Sequence, residues 1–218
     1  MNNPCKIQEG GMEYILGSYD GKKITYEFPK MLDYLDAKGK MVYGKDFKIY
    51  KKDHSLLHKL CNYYIRDHKN CKRYQLDISK GLLLSGPVGC GKTSILKLLR
   101  YLVPHYRSYE VIPCRNIVFG FNHIGYKTIE DYGGNGFICF DDMGVEPTGR
   151  FFGKDCNVIG EIMLSRYELY LEYGLKTHAT TNLNAEELED RYGSRVRSRM
   201  REMFNLIAFD TNSKDKRR

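Results

Sequence analysis

Residues 86–93, Gly86-Pro87-Val88-Gly89-Cys90-Gly91-Lys92-Thr93, fit G-x-x-x-x-G-K-[ST] at every defined position. The segment before them, Gly81-Leu82-Leu83-Leu84-Ser85, reads as a short buried strand, and Thr93 to Leu102 reads as a helix. Strand, glycine loop and helix in that order leave few folds open. The glycines let the backbone wrap an anion, so that successive N–H groups and the helix N-terminus point at phosphates. Lys92 would reach the β and γ phosphates as a point charge, and Thr93 would offer its hydroxyl to Mg²⁺. Gly86, Pro87, Val88, Gly89, Cys90, Gly91, Lys92, Thr93 and the following Ser94 are therefore the candidate ATP-binding set. Cys90 fills a position that needs only a small side chain, because the loop works through its backbone; a thiol near such positive potential could also be reactive.

The rest of the chain alternates strand and helix, the pattern of a parallel sheet covered on both faces. Tyr109 to Ile112 is a weaker second strand and Phe137 to Phe140 a third. Asn157 to Tyr173 reads as a long helix stopped by Gly174, and Lys176 to Thr181 as a fourth strand. A helical region from Ala185 to Met203 precedes a last strand near Asn205 to Phe209. Upstream, a helix should start at Asp53 or Ser55. Residues 1–52 show one short strand, Lys23 to Phe28, limited by Pro29, and no long helical period. The expected organisation is an N-terminal segment 1–52 open to partner binding, a nucleotide-binding domain 53–211 and a basic tail 212–218.

The third strand runs into Asp141-Asp142, about 50 residues beyond the loop, where a carboxylate for the metal shell is expected. Asp141 would hold Mg²⁺, and Asp142 would orient and polarise the attacking water. Alone, the pair could equally be a solvent-facing turn. Thr180-Thr181-Asn182 ends the fourth strand at the sheet edge that faces a ligand crevice, so Asn182 could touch the γ-phosphate or the water; capping the next helix is the competing role. Arg191, Arg195 and Arg199 stand at i, i+4 and i+8 and would share one helix face beside the apolar stripe Tyr192, Val196 and Met200. That face could be simply solvated, or could meet phosphate across a subunit interface, or nucleic acid.

Composition narrows the setting. The 35 basic residues outnumber 27 acidic ones, giving +8, which suits a polyanionic partner without requiring one. No apolar run approaches the ~20 residues that span a bilayer. The first ten residues, MNNPCKIQEG, lack the apolar core of a secretion signal. Seven cysteines with no C-x-x-C pair point to reduced thiols, hence a cytoplasmic setting, rather than a disulfide or zinc framework.

With these pieces in place the sequence resembles an AAA+ ATPase of the DnaC/IstB-like family of helicase loaders and insertion-sequence ATP-binding proteins. The resemblance rests on Gly86 to Thr93 and on Phe137 to Gly144. It rests also on Ile159-Gly160-Glu161-Ile162 with Ser165-Arg166-Tyr167-Glu168 running to Thr180-Thr181-Asn182-Leu183. The last stretch is Glu186-Glu187-Leu188 with Arg191-Tyr192-Gly193-Ser194-Arg195-Val196 and Ser198-Arg199-Met200. It covers about residues 53–210. It implies an α/β fold of P-loop NTPase, AAA+ type: a parallel five-stranded sheet of order 5-1-4-3-2 with helices on both faces and no C-terminal lid. It further implies a sensor role for Asn182, and an arginine finger at Arg199 with Arg195 close by. Subunits in a ring or spiral would each supply that finger to a neighbour's ATP. The acidic pair is Asp-Asp rather than the Asp-Glu of most AAA+ proteins, and residues 1–52 match no helicase-binding domain.

The resulting expectation is an ATPase using ATP and Mg²⁺, forming a homo-oligomer. It would act on single-stranded DNA without sequence preference, beside a replicative helicase or a transposase. A nucleotide-type small-molecule kinase and a nucleotide-switched adaptor with little hydrolysis are the alternatives. The clustering of arginines in residues 191–201, away from any acceptor-site lid, favours the ATPase.

Overall fold

A computed structural model describes residues 4–134, 136–210, 213, 215 and 216. Lys214, Arg217 and Arg218 of the basic end lie outside the described residues. The chain forms two compact units, one of residues 1–78 with 94–108 and the other of 79–93 with 109–218. The first segment of the first unit thus runs to residue 78. No helix of the described residues is long and apolar enough to cross a membrane.

The first unit opens with two antiparallel hairpins, β1 (Lys6–Glu9) with β2 (Met12–Ile15) and β3 (Gly17–Tyr19) with β4 (Ile24–Tyr26). A 16-residue helix, α1 (Phe28–Tyr43), follows. It corrects the expectation that residues 1–52 hold no long helix. Pro29 starts this helix rather than merely stopping a strand, since a proline in the first turn gives up an N–H that has no partner there anyway. Its inward face is Met31, Tyr34, Leu35 and Gly39, at helical spacing. Tyr34 donates to Glu9 Oε1 at 3.0 Å, and Lys38 pairs with the same oxygen at 2.7 Å. A 3₁₀ turn (Lys51–Asp53) leads into α2 (His54–Tyr64), and α3 (His68–Arg73) is capped by Asp67, whose carboxylate accepts the Asn70 N–H at 2.9 Å.

The second unit is built on five parallel strands. They are β5 (Gly81–Ser85), β6 (Glu110–Pro113), β7 (Ile138–Met143), β10 (His178–Thr181) and β11 (Phe204–Ala208). Helix α4 (Lys92–Leu99) starts at the end of the glycine loop, its residues from 94 onward being counted with the first unit; α5 (Cys114–Ile124) and α6 (Lys127–Gly133) lie between β6 and β7. After β7 come a small antiparallel hairpin, β8 (Gly149–Phe151) with β9 (Lys154–Cys156), and the long α7 (Val158–Tyr173). Helices α8 (Ala185–Tyr192) and α9 (Ser194–Met203) precede β11. In the sheet β11 pairs with β5, β5 with β10, β10 with β7, and β7 with β6. Counting only these five in chain order, the sequence is 5-1-4-3-2, as the resemblance implied.

Local chemistry accounts for the element ends. Asn157 caps α7 through the Gly160 N–H at 3.2 Å, and Gly174 ends it in the left-handed region at φ 65°. Asn184 and Glu187 form a capping box at the start of α8. Leu83, Phe140, Ile159, Ile162, Ala179 and Met200 belong to one apolar core of this unit. Each large side chain buried there contributes roughly 1.5–3 kcal/mol. Arg166, on α7, is wholly buried, and no described carboxylate forms an ion pair with it. Its guanidinium donates to Thr177 Oγ1 at 2.8 Å and to the carbonyls of Tyr132, Gly134 and Gly136 at 3.1, 2.9 and 2.8 Å. It thereby ties three backbone carbonyls upstream of β7 to α7.

Six of the seven cysteines are buried, Cys5, Cys61 and Cys71 in the first unit and Cys90, Cys114 and Cys139 in the second; Cys156 is half-buried.

Candidate nucleotide site

The loop between β5 and α4 turns through three glycines at positive φ: Gly86 at 154°, Gly89 at 77° and Gly91 at 102°. A side chain at Gly86 would run into Phe209, so that position needs glycine for space as well as for conformation. Lys92, at the first turn of α4, is 4% exposed. Its Nζ donates to the carbonyls of Gly86 and Pro87 at 2.7 and 2.8 Å and to Asn182 Oδ1 at 2.6 Å. The loop lysine and the residue just beyond β10 thus meet, 90 positions apart in sequence. Burial lowers the Lys92 pKa, opposed by the negative potential of Cys90, Asp142 and Asp141. Cys90 is fully buried, which removes the premise of an accessible reactive thiol.

Thr93 donates its hydroxyl proton to Asp141 Oδ1 at 2.7 Å, which leaves the Thr93 oxygen lone pairs and the remaining Asp141 oxygen for a cation. No cluster of three or more His, Cys, Asp or Glu among the described residues would hold a metal unaided. A hydroxyl and one carboxylate, completed by phosphate oxygens and water, is the hard-oxygen set that Mg²⁺ takes, so the residues present fit that ion. Asp142, next along, stands at φ 55°. Between β7 and β10, Phe140 faces Ala179 and Met143 faces Thr181, so two residues of β7, Asp141 and Asp142, oppose the single Thr180. This is a bulge, and it re-aims two adjacent carboxylates that a regular strand would send to opposite faces.

Two site-region residues went unread in the sequence. Thr180 bonds to both members of the acidic pair, as detailed below. Glu146, 5% exposed, accepts the Gly144 N–H at 2.8 Å and the Tyr192 hydroxyl at 2.7 Å. Arg191 donates to the Glu146 carbonyl at 2.7 Å. The signal for Glu146 was slight, a single carboxylate just past an acidic strand end. For Thr180 it was the two threonines closing an otherwise buried strand.

The arginines depart from the expected single face. Gly193, at φ 85°, ends α8 and starts α9, so Arg191 is on one helix and Arg195 and Arg199 on the next. An i, i+4, i+8 face needs unbroken helix, and glycine is the residue that breaks it. The Tyr192, Val196 and Met200 stripe is buried as expected. Arg195 is exposed. Arg199 lies half-buried along its own helix, its guanidinium 5.0 Å from the centre of the Tyr167 ring and donating to the Arg195 carbonyl at 3.4 Å. Arg197 is the buried arginine of this helix. Close to the loop, the Lys216 N–H donates to the Gly89 carbonyl at 3.0 Å and the Asp215 carboxylate stands against Gly89.

A glycine loop after the first strand, an acidic third strand one strand away across β10 and a 5-1-4-3-2 parallel sheet define the P-loop fold of AAA+ type. No protein-family model matches the sequence, and no curated protein matches it. Solved structures do match in fold. AMPPCP-bound DnaA from Aquifex aeolicus superposes with a TM-score of 0.54 at 16% identity, over 78% of this chain and 50% of that one. This chain thus spans about half the length of DnaA. DnaI gives 0.53 at 18% identity, over 76% and 89% of the two chains. The DnaC helicase loader gives 0.52 at 17% identity, over 83% and 99%.

Proposed function

We propose that this chain binds Mg·ATP at the loop of residues 86–94 and hydrolyses it, with Asp141 and Thr93 holding Mg²⁺ and Asp142 orienting the attacking water. The observation that carries the reading is the meeting of Lys92, Thr93, Asp141 and Asn182 by hydrogen bonds of 2.6–2.7 Å. Lys92 and the loop N–H groups bind the phosphates. Asn182, bonded to Lys92, would report on a γ-phosphate. Mg²⁺, when bound, neutralises charge developing on the phosphoryl oxygens. Arg199, with Arg195, completes a neighbouring copy's site, and the assembled copies act on single-stranded DNA as a helicase loader or a mobile-element ATPase. The match to nearly the whole DnaC chain supports the loader reading, and the net charge of +8 supports a polyanionic partner.

The test is Mg·ATP binding and phosphate release, with and without single-stranded DNA of mixed sequence at two salt concentrations. Wild type should turn over ATP with no acceptor molecule present. Lys92→Ala should lose productive nucleotide binding, because its charge faces the β and γ phosphates. DNA binding should weaken steeply with salt and show no base preference. Normal turnover in Lys92→Ala would remove the site assignment.

A further inference from the structure

The bulge in β7 leaves a hydrogen-bonding problem that a side chain solves. An extra residue in a strand loses its place in the backbone ladder, and its N–H must find another acceptor. Here the N–H is that of Asp142, and its acceptor is the Thr180 hydroxyl oxygen at 2.9 Å. The same hydroxyl spends its one proton on Asp141 Oδ1, at 2.6 Å. Thr180 is wholly buried, so its hydroxyl is shielded from water, while Asp142 is half-buried. One position along, Thr181 repeats the device: its hydroxyl donates to the Met143 carbonyl at 2.7 Å and accepts the Leu183 N–H at 3.0 Å.

Resting on the nucleotide reading above, we propose that Thr180 is a positioning residue for the metal and water carboxylates. Its hydroxyl staples the bulge and sets both members of the acidic pair at once. With Thr93 and Thr180 both donating to Oδ1, the Asp141 carboxylate is locked in rotation and keeps Oδ2 for the cation. By accepting the Asp142 N–H, the same oxygen holds that residue at φ 55°, a conformation uncommon outside glycine that aspartate tolerates better than most residues. Thr180 would act at one remove, by fixing the angle between the two carboxylates.

Valine matches threonine in shape and replaces only the hydroxyl, by a methyl. In Thr180→Val the Mg²⁺ concentration needed for half-maximal ATP binding should rise about tenfold, the scale of one lost hydrogen bond to a charged group. Binding of ATP without Mg²⁺ should be unchanged, and the Asp142 amide should exchange its hydrogen for deuterium faster. Thr180→Ser, which keeps the hydroxyl, should restore both readouts to within about threefold of wild type. If the valine variant does not fold, Thr180→Ala makes the same loss without the added methyl. A fast-exchanging Asp142 amide in the wild-type protein would overturn the staple without any variant. A wild type that binds no Mg·ATP would remove the nucleotide reading and this assignment with it. A wild type that binds, beside a folded valine or alanine variant with an unshifted Mg²⁺ requirement, would remove the Thr180 role alone.

Discussion

Lowering the pH from 7 to 5 should cost the second unit about 2 kcal/mol through His178 alone. This histidine opens β10, the strand that ends in Thr180 and Thr181, and it is buried against the Tyr109 ring at 4.7 Å. Its Nδ1 accepts the Leu82 N–H at 3.1 Å, which requires that nitrogen to carry no proton. Burial is the main cause that drops its pKa from 6.5 to about 3, and the nearby positive charges of Lys176 and Arg166 add to it. The unfolded chain therefore binds a proton here that the folded chain refuses. Stability is fully present above 6.5 and falls as the pH drops toward 3, at about 1.4 kcal/mol per pH unit. Integrated from pH 7 to 5 this gives about 2 kcal/mol, and any folded pKa below about 4 gives nearly the same figure. Urea unfolding at both pH values should show the loss in wild type. His178→Asn keeps an acceptor for Leu82 but cannot titrate, so its loss should be smaller by that amount. Carboxylate contributions are common to both proteins and cancel. Equal losses in the two would refute the neutral, buried histidine.

Asp142→Asn should retain Mg·ATP and lose hydrolysis by roughly 10²–10⁴, since an amide is a poor acceptor for the water proton. Asp141→Asn should instead raise the Mg²⁺ requirement; equal turnover in wild type and both variants would rule out this division. Arg199→Ala should bind ATP normally yet hydrolyse it roughly 10³–10⁵ more slowly, and mixing it with Lys92→Ala should restore part of the activity through mixed interfaces. To reach a neighbour, the Arg199 side chain must leave the Tyr167 ring, so no rescue at any ratio, with both variants folded and associated, would return it to the role of a surface cation.

The elements that carry the site were those most legible in the sequence. β5 begins and ends where the Gly81 to Ser85 run does, and α7 stops at Gly174 as its sequence requires. Such segments combine an apolar period with an explicit stop. The misses have physical reasons. Pro29 punctuates either a strand or a helix start, and only the Met31, Tyr34, Leu35 and Gly39 spacing decides between them. The β8–β9 hairpin has three residues per strand and turns through Phe152 at φ 47°, a conformation that its sequence gives no reason to expect. The acidic pair could be read as chemistry, but its bulge could not, because register is a property of two strands. Thr180 became visible only once β10 lay beside β7.

The buried cysteines give the molecule an internal record of its own opening. A thiol reagent added to the folded chain meets Cys156 first, since the other six are shielded. Later modification is then ordered by whichever unit opens: Cys5, Cys61 and Cys71 mark one, and Cys90, Cys114 and Cys139 mark the other. Cys90 sits inside the glycine loop itself, so its modification reports on opening of that loop. Peptide-resolved alkylation would therefore rank the opening of the two units and of the loop in one time course, with no engineered label.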